Sequence, residues 1–298
     1  MDDLNKLIGL TNVKAEIETL VNFLKIQRRR QTEGLQNAPI TYHMVLLGPP
    51  GTGKTTIARL IGRIYHQLGF LKKGHVVETD RSGLVAEYIG QTAPKVDKKV
   101  REALHGVLFV DEAYALKKED SFRDFGSEAI EALLKRMEDH RGELAVIIAG
   151  YTDEMERFID SNPGLRSRFN RYFYFDHYSP EELMQIFRTF TDEAGYIISP
   201  DGEEKLLAHF QMAWKRRSRT FGNGRYARNL LEKCVEQQAN RVVQILPIDD
   251  QALMTLTADD IPSEPLESLD KPVRPMGFGV QADTTPTSLP TKPNVKTK

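Results

Sequence analysis

Short apolar runs alternate with helical periodicity over the first part of the chain. Five runs have the length and content of strands, at residues 44–47, 76–78, 107–110, 144–149 and 172–175. Between them, apolar residues recur every three or four positions, which predicts helices at residues 55–68, 94–104, 127–140 and 154–159. Nearly continuous apolar strands separated by helices are typical of a parallel sheet covered on both faces. The pattern therefore predicts an α/β domain.

Other patterns flank this alternation. Residues 11–30 have helical periodicity, and the stretch from Ser179 to Glu182 has the residues of a capping box at a helix start. Helical patterns follow at residues 201–214 and 226–243, and we expect no further strand. The last 37 residues hold seven of the fifteen prolines and one aromatic residue, Phe278, which is typical of disorder. We expect an α/β domain at residues 1–178, a helical subdomain at residues 179–261 and a disordered tail at residues 262–298.

The composition excludes several classes of protein. Lysine and arginine number 41 against 42 acidic residues, a net charge of −1, which argues against a basic nucleic-acid coat or an acidic solvating chain. The single cysteine, Cys234, cannot form an intramolecular disulfide, and its apolar helical surroundings predict burial. Residues 1–6 lack a secretory pattern, and no apolar run approaches the roughly 20 residues of a membrane span. We expect a cytoplasmic protein without a membrane partner.

The strongest motif lies at residues 48–56, which read Gly-Pro-Pro-Gly-Thr-Gly-Lys-Thr-Thr. This stretch matches G-x-x-x-x-G-K-[ST] between a predicted strand and a predicted helix, the setting that a phosphate-binding loop requires. Glycines let backbone N–H groups curl around phosphate oxygens, and the helix start adds the positive end of a dipole. Lys54 would contact the β- and γ-phosphates, and the Thr55 hydroxyl would ligate Mg²⁺. The predicted nucleotide contacts are Pro50, Gly51, Thr52, Gly53, Lys54, Thr55 and Thr56.

A second motif supplies two adjacent acids. Asp111 and Glu112 follow the apolar residues 107–110, some fifty residues after the phosphate loop. Asp111 would bind Mg²⁺ directly or through water, and Glu112 would orient and polarise the attacking water. An acidic pair at the end of a strand can be an ordinary strand ending, but the preceding phosphate loop favours hydrolysis. We therefore expect a nucleotide hydrolase whose metal is Mg²⁺.

The two motifs, with Asp-Glu in the second, resemble those of AAA+ ATPases. Residues 88–95, 106–113, 149–151 and 162–169 narrow the resemblance to the CbbX/CfxQ group, which includes red-type Rubisco activases and proteins similar to stage V sporulation protein K. The resemblance covers about residues 4–261. It implies an ATPase with the strand order 5-1-4-3-2, a C-terminal helical lid, and ATP bound between the two. It also implies the plastid stroma as the compartment if the source is a red-lineage alga.

The resemblance assigns further residues to the nucleotide. Ile8 and Gly9 match a segment that lines the adenine pocket, although an apolar turn explains Ile8 equally well. Arg225 matches the sensor-2 arginine, which contacts the γ-phosphate from the lid. The sensor-1 residue follows the fourth strand and helps to place the attacking water. Here it is either Tyr151 or Thr152. The usual asparagine is missing there.

Two arginines match the position from which AAA+ proteins reach the nucleotide of the neighbouring subunit. Arg168, immediately before Phe169, is the preferred arginine finger, with Arg166 assisting locally. A planar guanidinium can stabilise the charge that spreads over the γ-phosphoryl group in the transition state. The resemblance therefore implies a homo-oligomer, with a hexameric ring as the family expectation.

Tyr88, Ile89 and Gly90 match the central-pore loop with which AAA+ remodellers grip a polypeptide. The apolar pair would contact many different sequences, and the glycine would let the loop move. Packing of Tyr88 and Ile89 into the core is the alternative. The resemblance thus implies a protein client, with the Rubisco large subunit as the leading guess.

Two other functions stay open at this point. One is a general remodelling or assembly chaperone of the stage V sporulation protein K type. The other is a nucleic-acid motor, for which the basic clusters at residues 28–30, 95–101 and 215–219 would contact phosphates. Interspersed acids and the lack of a recognised nucleic-acid-binding module make nucleic acid the weaker alternative.

Overall fold

The computed structural model of the protein describes residues 2–36, 40–117, 124–244 and 249–266. From residue 267 onwards, the predicted tail lies outside these ranges. The helices and strands of the described ranges are α1 Asp2–Asn5, α2 Thr11–Thr32, β1 Met44–Leu47, α3 Lys54–Gln67, β2 Val76–Thr79, α4 Arg81–Leu84, α5 Thr92–Ala103, β3 Val107–Val110, α6 Gly126–Asp139, β4 Ala145–Gly150, α7 Thr152–Asp160, α8 Pro163–Arg168, β5 Tyr172–Tyr174, α9 Pro180–Ala194, β6 Ile197–Ile198, α10 Pro200–Lys215, α11 Gly224–Val242, α12 Asp250–Met254 and β7 Thr255–Leu256.

Strands β1–β5 form one parallel sheet in the order β2-β3-β4-β1-β5, which confirms the predicted order 5-1-4-3-2. In its register, Met44 of β1 pairs with Ile147 of β4. All residues of β1, β3 and β4 are buried, as expected for central strands covered on both faces. The carboxyl ends of parallel strands meet at one edge, so the segments that follow β1 and β3 lie at the same edge, with the end of β4 between them.

Two apolar clusters cover the two faces of the sheet. One contains Val96 of α5 and Leu133 of α6 together with residues of α7. The other contains Ile17 of α2 and Ile61 of α3. These helices are amphipathic and turn one face to the sheet. None of the helices in the described parts of the chain has the length and apolar character that crossing a membrane requires.

Helices α9, α10 and α11 form the lid around a third apolar cluster. The predicted capping box starts α9, because Ser179 accepts from the Glu182 N–H and the Glu182 side chain accepts from the Ser179 N–H. The rings of Phe187 and Phe210 meet edge to face, with their centroids 6.0 Å apart. Cys234 is buried in this cluster, as its apolar surroundings predicted.

The expectation of no strand after residue 178 is wrong. β6 and β7 pair in parallel, with Ile197 opposite Thr255 and Ile198 opposite Leu256. Each strand has only two residues, which is too short for a periodic pattern to show. The pair connects the segment after α9 to the segment after α12, so it links the beginning of the lid to its end by backbone hydrogen bonds.

Candidate functional site

A cleft of about 470 Å³ lies between the carboxyl edge of the sheet and the lid. Sequence-predicted residues from the N-terminal segment, the phosphate loop, the acidic pair and the lid come together here. Those that line the cleft are Ile8, Pro50, Gly51, Gly53, Lys54, Thr55, Thr56, Asp111, Glu112 and Arg225. Segments far apart in the chain therefore contribute to one site, and both cations and carboxylates line it.

Two predicted nucleotide contacts lie beside the cleft without lining it. Gly9 has φ +60°, and a Cβ atom there would come 2.2 Å from Oε1 of Glu182. Thr52 is fully buried, and its hydroxyl donates to the carbonyl of Pro49 at 2.8 Å. Gly9 thus allows close packing against the first turn of α9, and the Thr52 side chain stabilises the phosphate loop from within.

The Lys54 ammonium lies over the phosphate loop. Its Nζ donates to the carbonyls of Gly48 at 2.8 Å and Pro49 at 2.6 Å. Burial lowers the pKa of Lys54 to about 8; Asp111 opposes the shift and Arg225 adds to it. The ammonium would regain a strong counter-charge from a phosphate in the cleft, which would raise its pKa again.

The two acids occupy the end of β3 in different ways. Asp111 is half-buried, and its Oδ1 accepts from the Glu112 N–H at 3.1 Å. Glu112 is exposed to the cleft and has φ 47° and ψ 44°, a left-handed conformation that is uncommon outside glycine. The two consecutive acids therefore differ in burial and in backbone conformation.

The cleft has a donor set that fits Mg²⁺. Thr55 and Asp111 both line it, and each offers an oxygen, the ligand type that Mg²⁺ prefers. No group of three His, Cys, Asp or Glu side chains poised for a metal occurs among the described residues. A site with few protein ligands suits a Mg²⁺ ion that keeps waters and binds substrate phosphates.

The lid contributes cations and apolar surface. Arg225 is the second residue of α11 and extends into the cleft. Arg228, one turn further along, places its guanidinium 4.6 Å from the centroid of the Phe190 ring. Phe190 and Ile186 line the cleft on the same side as these arginines. The lid therefore offers an apolar wall that a base could contact, next to a charge that could contact phosphate.

The two sensor-1 candidates are placed differently. Tyr151 lines the cleft, whereas Thr152 is the first residue of α7 and does not line it. The guanidinium of Arg219, from the lid, lies 5.8 Å from the centroid of the Tyr151 ring and pairs with Glu154. This geometry favours Tyr151 over Thr152 as the residue that contacts a bound phosphate or water.

The two predicted finger arginines lie outside the cleft, at the end of α8. Arg166 is 66% exposed and pairs with Asp160. Arg168 is 29% exposed, and its Nη2 lies 3.6 Å from a carboxylate oxygen of Glu138. The Arg168 Nε is buried and has no hydrogen-bond partner among the described residues. Neither arginine lines the cleft of its own chain.

The predicted pore loop is an exposed segment between α4 and α5. Tyr88 is 67% exposed and Ile89 is 86% exposed, which is unusual for large apolar side chains. Gly90 has φ +77° and open space around it. The base of the loop is fixed to α5, because Lys95 donates to the carbonyls of Ser82 and Val85.

Sequence reasoning missed several residues at the site, including Ile186 and Phe190 of the lid wall, and two of the missed residues hold the phosphate loop. The Tyr178 hydroxyl donates to the Thr52 carbonyl at 3.1 Å, and the Asn223 side chain donates to the Pro50 carbonyl at 3.0 Å. The partners are separated by 126 and 173 residues. No local pattern can reveal such pairs, although the glycines on both sides of Asn223 mark an unusual backbone there.

Family models match both parts of the chain. Residues 44–177 match the model described as "ATPase family associated with various cellular activities (AAA)". Residues 179–271 match the AAA lid domain. Protein CbbX from Cereibacter sphaeroides is 44% identical over 86% of this chain and 83% of its own length.

The chain is an AAA ATPase of the CbbX/CfxQ group. This confirms the resemblance inferred from the motifs and identifies the protein as an ATP-hydrolysing enzyme. The chloroplastic ribulose bisphosphate carboxylase/oxygenase activase from Cyanidioschyzon merolae is 42% identical, covering 88% of this ATPase and 89% of that protein. Stage V sporulation protein K from Bacillus subtilis is 40% identical, covering 87% and 80%.

A solved structure supports the fold of the ATPase. The FIGL-1 AAA domain in complex with ADP superimposes with a TM-score of 0.59 over 86% of this chain and 80% of that one. Its sequence identity is 18%. The likeness extends through both the parallel sheet and the helical lid, since it covers most of each chain.

Proposed function

We propose that this ATPase uses ATP hydrolysis to remodel a protein client, and that the client is the Rubisco large subunit. The observation that carries the proposal is that a cleft lined by residues suited to ATP hydrolysis occurs together with a separate exposed aromatic loop. Lys54, Glu112 and Arg225 line the former, and Tyr88 and Ile89 form the latter. Similarity to an activase supports Rubisco as the client.

Binding would depend on the phosphate loop and its flanking charges. Backbone N–H groups of residues 51–56 at the start of α3 would hold the phosphate oxygens, and Lys54 would turn from its carbonyl partners to the β- and γ-phosphates. Thr55 and Asp111 would hold Mg²⁺, which supplies neutralising charge to the triphosphate. Ile8 and Phe190 would contact the base.

Hydrolysis would depend on Glu112. Its exposed carboxylate faces the cleft and can accept a proton from a water that attacks the γ-phosphoryl group. Tyr151 would help to position this water. Arg225 would contact the γ-phosphate from the lid, so that loss of this phosphate releases a lid contact. In this way the chemistry would change the orientation of the lid.

A neighbouring subunit would complete the site. The cleft lacks Arg166 and Arg168, which lie outside it at the end of α8. In a ring of identical subunits, hexameric by family expectation, these arginines would face the nucleotide of the next chain. Arg168 would stabilise the charge on the transferring phosphoryl group, and Arg166 would support it.

The client would be gripped by the pore loop. Tyr88 and Ile89 present apolar surface that many polypeptide sequences can contact, and Gly90 permits the loop to move. Pulling on the large subunit would open its active site and release an inhibitory sugar phosphate. The compartment would then be the one that holds Rubisco, the cytoplasm or a plastid stroma.

The proposal is tested by measuring ATP hydrolysis with and without red-type Rubisco that carries an inhibitory sugar bisphosphate. We expect faster hydrolysis in its presence and recovery of carboxylation that requires ATP. Omission of ATP and the Lys54→Ala variant serve as controls. If Rubisco causes no stimulation and carboxylation does not recover, Rubisco is rejected as the client. The ATPase activity itself would still stand.

A general remodeller of the stage V sporulation protein K type is the second candidate, favoured by that relative's similar identity and coverage. It would share the ATPase and the pore loop but would not respond to Rubisco. A nucleic-acid motor is less well supported, because cations of the basic clusters are used inside the protein. Lys95 binds backbone carbonyls, and Arg219 pairs with Glu154.

A further inference from the structure

Asn223 lies where the lid, the phosphate loop and residues 175–179 meet, and we call this last segment, which joins β5 to α9, the hinge. It is fully buried and immediately precedes α11. Its Nδ2 donates to the carbonyls of Pro50 at 3.0 Å and Phe221 at 2.8 Å, and its Oδ1 accepts from the Tyr178 N–H at 3.1 Å. The carbonyls require a donor and the N–H requires an acceptor, so these contacts define the orientation of the amide.

The backbone of Asn223 indicates that its side chain is needed. Its φ of 49° and ψ of −117° form a conformation that glycine adopts freely and other residues rarely do. Both neighbours, Gly222 and Gly224, are glycines. A glycine at position 223 would satisfy the backbone equally well, but it would lose every side-chain hydrogen bond that joins the three segments.

Three consecutive carbonyls of the phosphate loop are held by donors from the lid and the hinge. The three pairs are Asn223 Nδ2 to Pro50 at 3.0 Å, the Gly224 N–H to Gly51 at 3.0 Å, and the Tyr178 hydroxyl to Thr52 at 3.1 Å. The approach is close, since a Cβ atom on Gly51 would come 1.9 Å from the Gly222 carbonyl oxygen. The lid thus contacts the back of the loop directly.

These contacts constrain the side of the loop that faces the phosphate. In a trans peptide, the C=O and N–H of one unit point in opposite directions. Holding the carbonyls of residues 50–52 therefore orients the N–H groups of residues 51–53, which belong to the same peptide units. Any lid movement that breaks these hydrogen bonds frees those N–H groups to turn away from an anion.

We propose that Asn223 is a positioning residue that couples the lid to the phosphate loop. When Asn223 holds the lid against the loop, the peptide N–H groups of the loop already point towards the phosphate position. The orientation of the lid therefore determines the affinity for nucleotide. Coupling is reciprocal, so bound nucleotide also holds the lid in place. The inference rests on the proposed nucleotide site. It adds that the lid responds to a bound diphosphate as well as to a triphosphate, because its hydrogen bonds go to the phosphate loop itself.

The test is the Asn223→Gly variant, with ADP as the probe. We expect the nucleotide-free variant to remain folded and the Kd for ADP to rise about five- to tenfold, within the usual range of coupling between sites. We also expect that ADP no longer protects the Gly224 amide, which donates to Gly51, from hydrogen exchange. A residue with a purely local role would leave this protection unchanged.

The matched control is Gln238→Ala. Gln238 is another buried amide on α11, and its Nε2 donates to three carbonyls, all within the lid. Its loss should lower the thermal midpoint and leave the Kd for ADP unchanged. A third variant, Asn223→Asp, keeps the acceptor and removes the donor to Pro50; it should weaken ADP binding at least as much as Asn223→Gly.

Several results would overturn the proposal. One is an Asn223→Gly variant that binds ADP within twofold of wild type, and another is an Asn223→Asp variant that binds ADP normally. A third is a Gln238→Ala variant whose affinity for ADP falls as much as that of Asn223→Gly. The fourth is an Asn223→Gly variant that does not fold without nucleotide. Failure of the wild type to bind ADP would reject the proposed nucleotide site as well. Normal wild-type binding with an unaffected variant would reject the coupling alone.

Discussion

The Nζ of Lys54 donates a hydrogen bond to the carbonyl oxygen of Pro49 across 2.6 Å. The cation that should bind phosphate is therefore held by the backbone of its own loop. Burial lowers its pKa to about 8 from the ordinary 10.5. A bound nucleotide has to replace this contact. Its phosphates then give the partly desolvated ammonium a counter-charge.

The first prediction concerns pH. Since a bound phosphate raises the pKa of Lys54, ADP binding near pH 8.5 should take up protons, and affinity should fall as the pH rises above 8. The nucleotide-free protein should gain stability between pH 8 and 10.5, because the unfolded chain then binds more protons than the folded one. Calorimetry in two buffers with different ionisation enthalpies measures the uptake. Equal uptake by wild type and Lys54→Met would refute the assignment.

The second prediction concerns the pore loop. Tyr88→Ala should abolish stimulation by a protein client while leaving basal ATP hydrolysis within about twofold. The exposed side chain contributes little to stability, so the free energy of unfolding should change by less than about 0.5 kcal/mol. Tyr174→Ala, at a tyrosine that is 50% exposed on the sheet, is the control and should keep stimulation. Loss of stimulation in both variants would contradict a specific role for Tyr88.

The third prediction concerns completion of the site by a neighbour. Arg168→Ala should lower ATP hydrolysis by about 10³-fold or more, the usual contribution of an arginine finger. Lys54→Ala should also be inactive. Mixing the two variants should restore activity, because some interfaces then combine an intact cleft with an intact arginine.

That mixing result has a clear alternative. Persistent inactivity of a mixture in which the subunits exchange would exclude Arg168 as a residue acting between chains. The more exposed Arg166, tested in the same way, would then become the candidate. Rescue by neither arginine would exclude both as residues that act between chains.

The fourth prediction concerns lid stability. Arg241 contacts both carboxylate oxygens of Asp260 at 2.8 Å, and Asp260 is fully buried. Burial alone would raise the pKa of Asp260, but hydrogen bonds from Arg241 and Thr257 lower it overall. Arg241→Met should cost about 3–5 kcal/mol of unfolding free energy, since it leaves a buried charge without its partner. The pair should stabilise above the ordinary carboxyl pKa of 3.8, and this stability should fade as the pH falls through the lowered value.

Denaturant unfolding measures this effect. The control is Arg216→Ala, which breaks an exposed pair with Glu264 and should cost less than about 1 kcal/mol. Similar losses in the two variants would show that burial of Asp260 does not set the energy of the pair.

The sequence predicted those parts of the fold that depend on local pattern. β1, β3 and β4 were recognisable because every residue is buried, and the phosphate loop because its glycines and Lys54 have fixed spacing. β6 and β7 were missed because a two-residue strand has no period.

Contacts between distant segments could not be predicted. Nothing near Asn223 or Tyr178 in the chain indicates that their partners are Pro50 and Thr52, because these pairs form only when the lid folds onto the sheet. The choice between Tyr151 and Thr152 was open for a similar reason. Which of two neighbouring side chains faces a cleft depends on where the helix begins, and α7 begins at Thr152.

The central claim is that Glu112 activates water in the cleft between the sheet and the lid. The most direct test is the rate of ATP hydrolysis by Glu112→Gln, measured with ATP affinity in the same preparation and with Glu131→Gln, at an exposed position of α6, as control. Loss of a general base predicts a rate about 10²- to 10⁴-fold lower, with ATP still bound. Hydrolysis at the wild-type rate would contradict the account.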